Sequence, residues 1–344
     1  MKRRSLISLL LIFCSSLLLT VSCNQAPQQT PNANISALNT PPIVIGYSNW
    51  AGWWPWAIAE EEGLFAKNGV NVQMKWFDGY LESLQALAAG QLDGNSQTLN
   101  DTIAFAGDAI NGEVAVLVND NSAGNDKIIV AEEINTVQDL KGKKVAVEEG
   151  VVDDFLLSLV LEKNQMSRKD VQIVPMETGA AAAAFAAGKV DAVGAFPPFW
   201  STALKRKGSK EIASSKDFPG AIPDLLVVSE KLIQEKPEQV QALVKTWFDI
   251  RDFMEKNPQK ADEIMAKRAG VSAEEMQLYK EGTLFFTLED NLEAFSPGNT
   301  MKNMPFAAQK MADFMKGIGF IKQVPDLNKI LDAQFVKALA EKKA

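Results

Sequence analysis

An α/β protein of two lobes is predicted by an internal duplication and by the alternation of strands and helices inside each copy. The run ALAAGQLDG (86–94) recurs as AFAAGKVDA (184–192), with Gly90 and Gly188 at equivalent places. In both, an alanine-rich helix stops at a glycine and an apolar-Asp strand entry follows. VNVQMKWFDG (70–79) resembles VQIVPMETG (171–179), and the apolar strand signal at 43–46 corresponds to 145–147. Each copy therefore reads strand, helix, strand, helix, strand, as in a mostly parallel sheet flanked by crossover helices. The segment DNSAGND (120–126) between the copies is turn chemistry. The expected division is lobe 1 from 43–125 and 230–344, with lobe 2 from 126–229 between them. Residues 225–229 are apolar enough to be a returning strand. Amphipathic helices are expected beyond it at 236–257, 258–269, 273–281, 301–317 and 327–340, wrapping back onto the first lobe.

The start of the chain reads as a secretory signal over residues 1–22: Lys2, Arg3 and Arg4, then a stretch of apolar and small residues too short for a stable membrane span. It ends in LTVSC, which resembles a bacterial lipobox and makes Cys23 the expected lipidated residue and membrane anchor. Cys14 leaves with the signal, so no intrachain disulfide is possible in the mature chain. Residues 23–42, uncharged after Cys23 and rich in Pro, Asn, Gln and Thr, read as a flexible tether.

About 300 residues then remain, enough for two domains of ordinary size or one large one. Loss of the three basic signal residues takes the formal charge from −8 to −11. Such a surface disfavours nucleic acid and anionic lipid as direct partners. The chain has no histidine, and its mature part has no cysteine besides Cys23. Neither a GxSxG elbow nor a phosphate loop is present, so catalytic residues and cofactors are not expected and the reading is a binding protein rather than an enzyme.

Four of the seven tryptophans, Trp50, Trp53, Trp54 and Trp56, lie in YSNWAGWWPW directly after the first strand signal. Indole faces attract cations, while buried aromatics equally fill cores. Pro55 and Trp56 open a helical pattern that must pack on something, so some of the four belong to the core. In open parallel sheets ligands bind beyond the carboxyl ends of the strands, which selects six loops: 47–56, 77–80, 97–101, 148–154, 177–180 and 195–199. These hold seven carboxylates, Asp78, Asp101, Glu148, Glu149, Asp153, Asp154 and Glu177, and no Lys, Arg or His. Some of those acids suit helix N-termini. The inventory asks for a cation or a neutral polar ligand, and guanidinium fits: it is planar, offers in-plane donors to carboxylates and presents a face to a ring. Two other readings stay open. Bare helix N-termini bind anions, and acid clusters suit hard metal ions, although no DxDxD-type spacing appears and no metal is expected.

The opening IGYSNWAGWWPWAIAEEEGLFAKNGVNV, with LAAGQLD, LKGKKVAV and FAAGKVDAV, resembles the nitrate, sulfonate, taurine and thiamine-precursor group of ABC-transporter substrate-binding proteins over roughly residues 42–260. WFDGY, DGNSQTLNDT, VNDNSAGNDKIIV, AVEEGVVDDFLL and ETGAAAAAF resemble the subgroup associated with urea-carboxylase-like enzymes, whose carboxylase acts on guanidine. The resemblance implies a type II periplasmic-binding-protein fold, a guanidinium ligand, ABC permease and ATPase partners, an extracytoplasmic monomer and a lipoprotein anchor. Asp101, Asp153 and Glu149 are the expected carboxylate partners, Trp53 and Trp54 the stacking wall, and Asn100 and Asp126 the supporting contacts. Asp78, Tyr80 and Phe196 complete the expected site. Urea, a small amine, a sulfonate- or nitrate-type anion, and a ligand sensor remain the alternatives.

Overall fold

The apolar runs of the sequence become the inner strands of two sheets. The computed structural model describes residues 41–343. The signal segment, Cys23 and nearly all of the expected tether lie outside the described residues. In chain order the first lobe contains β1 (Ile43–Tyr47), α1 (Trp56–Glu61), α2 (Leu64–Lys67), β2 (Val72–Trp76), α3 (Tyr80–Ala88), β3 (Gly94–Thr98), α4 (Leu99–Phe105) and β4 (Val114–Ser122). The second contains β5 (Lys127–Val130), β6 (Lys144–Val147), α5 (Val152–Lys163), β7 (Gln172–Pro175), α6 (Thr178–Ala186), β8 (Ala192–Ala195), α7 (Phe199–Ala203) and β9 (Lys210–Ser214). The chain returns through β10 (Pro223–Val228) and continues as α8 (Glu230–Glu235), α9 (Pro237–Lys256), α10 (Pro258–Ala269), α11 (Ala273–Glu281), β11 (Thr283–Phe285), α12 (Leu288–Ala294), α13 (Met304–Gly317) and α14 (Gln334–Lys343).

The sheet orders are β11-β4-β10-β3-β1-β2 and β7-β6-β8-β5-β9. The duplication read from the sequence is visible in them. β2-β1-β3 and β7-β6-β8 are equivalent parallel sets, and each receives a crossing strand, β10 or β5, antiparallel to its third member. The parallel core of each lobe is thus extended by antiparallel strands.

Three boundaries differ from expectation. β10 belongs to the first sheet, so the return to lobe 1 falls near residue 222 rather than 229: the LLVV run is buried on both faces between β3 and β4. The turn expected at 120–126 begins later, because Asp120, Asn121 and Ser122 still pair as strand with β10 and β11. The helix expected at 327–340 starts at Gln334. Before it the chain is held extended by Ala115, whose N–H donates to the Ile330 carbonyl (2.8 Å) and whose carbonyl accepts from Asp332 N–H (2.9 Å).

The C-terminal helices do wrap onto the first lobe. Trp247 of α9 packs 4.9 Å from Trp56 of α1, with Phe65 stacked on the same indole at 6.1 Å. Trp56 is fully buried and its Nε1–H donates to Ser96 Oγ. Two of the four clustered tryptophans are core: Trp56, and Trp54, which sits edge-on to Tyr279 at 5.8 Å.

Candidate functional site

Two segments, 123–126 and 215–222, join the lobes, and serines lock them together. Ser122 and Ser215 hydroxyls lie 2.7 Å apart, Gly124 N–H donates to Ser215 Oγ, and Ser215 N–H donates to the Asp126 carbonyl. Beside these crossings a cavity of about 10 Å³ lies between the lobes. That is about the room a single water needs and far below the roughly 300–1,000 Å³ of drug-sized ligand sites, so the cavity suits only a very small ligand and has to widen for anything larger than water.

Four aromatic rings surround it in a closed cycle. Trp50 meets Trp53 (6.4 Å), Trp53 meets Tyr80 (5.4 Å), Tyr80 meets Phe196 (6.5 Å), and Phe196 returns to Trp50 (6.4 Å). The two tryptophans come from the tight turn after β1, where Trp53 and Trp54 N–H groups donate to the Trp50 carbonyl. Tyr80 opens α3. Phe196 follows β8 and is the one ring supplied by the second lobe, so the cycle is complete only when the lobes meet.

The charged residues of the cavity wall are Asp126 and Asp224, with no basic side chain among the described residues that line it. Asp224 lies in β10 between Thr98 of β3 and Asp120 of β4, each its register partner. Asp120 accepts from Trp50 Nε1–H at 3.0 Å. Asp120, Asp126 and Asp224 are 0–2% exposed, and each has an Oδ2 with no donor among the described residues. Burial raises all three carboxyls. Asp126 is pushed up to about 6; Asp120 is raised by desolvation against the hydrogen bond from Trp50, and the charge of Asp120 adds to desolvation in raising Asp224.

Asp101 is held differently. Its carboxylate accepts from Tyr80 Oη (2.8 Å), Thr98 Oγ1 (2.7 Å) and Asn100 Nδ2 (2.7 Å), while Thr98 N–H donates to Tyr80 Oη. Burial pushes Asp101 up to about 7 and raises Tyr80 further. With three donors already on it, Asp101 fixes the Tyr80 ring against Trp53 and stands behind the cavity.

Of the residues expected from the sequence, Trp53, Tyr80, Asp126 and Phe196 line the cavity. Asn100 and Asp101 back it through Tyr80. Trp54 is core. Asp78 is exposed and accepts from the Trp76 indole. Glu149 pairs with Arg168 at 3.1 Å on the surface, and the same guanidinium holds Asp154 at 2.8 Å. A base from outside the six loops therefore neutralises two of their acids. Asp153 accepts from Glu148 and Asp154 N–H groups at the start of α5. The 177–180 loop is closed by Glu177 capping α6 through Gly179 and Ala180 N–H, and Glu148 reaches across to Leu81 N–H at the start of α3. Trp50, Asp120 and Asp224 were not among the expected ligand partners. The signal for the two acids was present as a carboxylate inside an apolar strand run, VLVNDNS and PDLLVV. No group of three or more Cys, His, Asp or Glu among the described residues is arranged to hold a metal ion.

Residues 36–269 match the NMT1-like family. The chain belongs to the NMT1-like family. Among relatives, a protein of Brucella abortus (strain 2308) described as a binding protein is 30% identical over 235 residues, covering 66% of this chain and 71% of the relative. A protein of Bacillus subtilis (strain 168) described as aliphatic sulfonates-binding is 26% identical over 305 residues, covering 83% and 85%. Among solved structures, the periplasmic aliphatic sulphonate binding protein SsuA from Escherichia coli superposes with a TM-score of 0.69 at 23% identity, covering 86% of this chain and 94% of that one. In this NMT1-like chain the paired sheets, double crossing and interlobe cavity are the two-lobed type II periplasmic-binding-protein fold.

Proposed function

We propose that this chain is the extracytoplasmic solute-binding component of an ABC importer and that its cleft captures a small organic cation, guanidinium, for delivery to a permease. One observation carries the ligand: three buried aspartates with unpaired oxygens meet a cycle of four aromatic rings, with no basic residue in the wall. A cation over an aromatic face gains about 0.5–2 kcal/mol depending on desolvation. The in-plane N–H donors of guanidinium supply partners for carboxylate oxygens that are otherwise expensive to bury. The family and the binding-protein relatives support the transport role. The absence of histidine from the sequence weighs against an enzyme on this fold.

A second reading has its own support. Trp53 Nε1 is 3% exposed at residue level, lines the cavity and has no acceptor among the described residues. A ligand oxygen, as in urea or a sulfonate, would satisfy it, and the Bacillus relative is described as a sulfonate binder. An oxyanion beside Asp126 and Asp224 would require those carboxyls to stay protonated. Calorimetric titration of the mature protein with guanidinium, urea and taurine at pH 7.5 tests both readings. Heat with guanidinium alone supports the cation, and heat with taurine alone rejects it.

A further inference from the structure

We propose that Asp120 and Asp224 hold one shared proton which an incoming cation displaces, so that the site exchanges a proton for its ligand and thereby separates a cation from a neutral molecule of the same shape. The inference rests on the cation reading above. Its geometry is independent of that reading. The two residues are direct register partners on β4 and β10, the strands that leave for and return from the second lobe. They are 0% and 1% exposed, and each keeps one oxygen without a donor. Like charges directly opposite on neighbouring strands repel, and two adjacent buried carboxylates do not both ionise. One proton between them turns repulsion into a short O–H···O⁻ bond.

The surroundings fit a cluster that carries a proton in place of a cation. Asp126 and Asp101 add negative charge near Asp224. The guanidinium of Arg251 acts on Asp120; it lies over the Phe285 ring at 4.8 Å and is also drawn to Glu255 and Asp290. Lys127 acts on Asp126 but is paired with Glu211. Asp224 itself lines the cavity, together with the unpaired Trp53 indole. A cation seated against Asp224 supplies the charge that the proton supplied, and the proton passes to the buffer. Urea brings no charge and leaves the proton in place.

The test is calorimetry at pH 7 in two buffers of different ionisation enthalpy. The wild type should release about one proton per guanidinium bound and none with urea, and Asp120→Asn, which leaves the cavity-lining Asp224 in place, should bind with release near zero. Guanidinium binding without proton release, or unchanged release in Asp120→Asn, overturns the proposal. Thermal unfolding without added ligand separates this from the ligand reading. The melting temperature of the wild type should fall between about pH 5 and pH 8, and Asp224→Asn and Asp120→Asn should each flatten that fall. If both variants keep the wild-type slope, there is no shared proton, whatever binds. If the variants flatten the slope and guanidinium still does not bind, the exchange falls together with the cation reading.

Discussion

A methyl group on Gly52 would stand 1.8 Å from Asp120 Oδ2 and 2.2 Å from its Cγ. The tryptophan turn lies directly against the acid that Trp50 hydrogen-bonds, and only a residue without a side chain lets it do so. Gly52→Ala should therefore push the turn off Asp120. Overpacking of this kind costs about 1–3 kcal/mol, and guanidinium affinity should fall at least tenfold because Trp50 and Trp53 move with the turn. Parallel melting and titration of the variant check this; a variant with normal binding would show that the turn does not set the cage.

Carboxylates should divide by location. Asp126→Asn is expected to weaken guanidinium binding by about 2–3 kcal/mol, since it removes a desolvated charge facing the ligand, while leaving the melting temperature within a few degrees. Glu149→Gln should leave affinity unchanged, because Glu149 is half exposed and spends its charge on Arg168. Asp153→Ala should do the reverse of Asp126→Asn: it leaves the Glu148 and Asp154 N–H groups without their buried acceptor, at a cost of about 1–3 kcal/mol, and lowers the melting temperature, with near-normal affinity below the transition.

The tryptophans should divide in the same way. Trp53→Ala should cost about 1–2 kcal/mol of binding through the lost cation-π face. Trp56→Ala, in the core against Phe65 and Trp247, should cost about 3–5 kcal/mol of stability. Equal loss of affinity in both, at temperatures where both are folded, would remove the distinction between wall and core.

The dependence on pH has a definite sign. A bound cation favours ionised carboxylates, and burial has raised Asp101 to about 7 and Asp126 to about 6. Guanidinium affinity should therefore fall as pH is lowered from about 8 to 5, because Asp126, which lines the cavity, takes up a proton and Asp101, which holds Tyr80 behind it, loses charge as well. An oxyanion would show the opposite slope. Titration calorimetry at three pH values distinguishes them.

Much of this was legible in the sequence, for identifiable reasons. The Gly90 and Gly188 stops and the matching strand runs are local signals, and they gave the two lobes and the equivalence of the parallel strand sets. The rule that ligands sit beyond parallel strand ends led to Trp53, Tyr80 and Phe196, and the resemblance carried by VNDNSAGNDKIIV to Asp126. It could not lead to Asp120 and Asp224, which lie within strands that cross between lobes. Asp120 also read as turn because its neighbours are Asn, Ser and Gly. Conversely Glu149 and Asp153 looked like ligand partners until Arg168 and the start of α5 accounted for them. A sequence lists carboxylates, and only the fold shows which still lack a donor.

The most direct measurement is a crystal structure of the mature protein grown with guanidinium. A planar ligand is expected inside the Trp50, Trp53, Tyr80 and Phe196 cycle, within hydrogen-bond distance of Asp126 and Asp224. Guanidinium bound elsewhere with those oxygens on water, or a sulfonate seated in that cycle in competition with guanidinium, would contradict it.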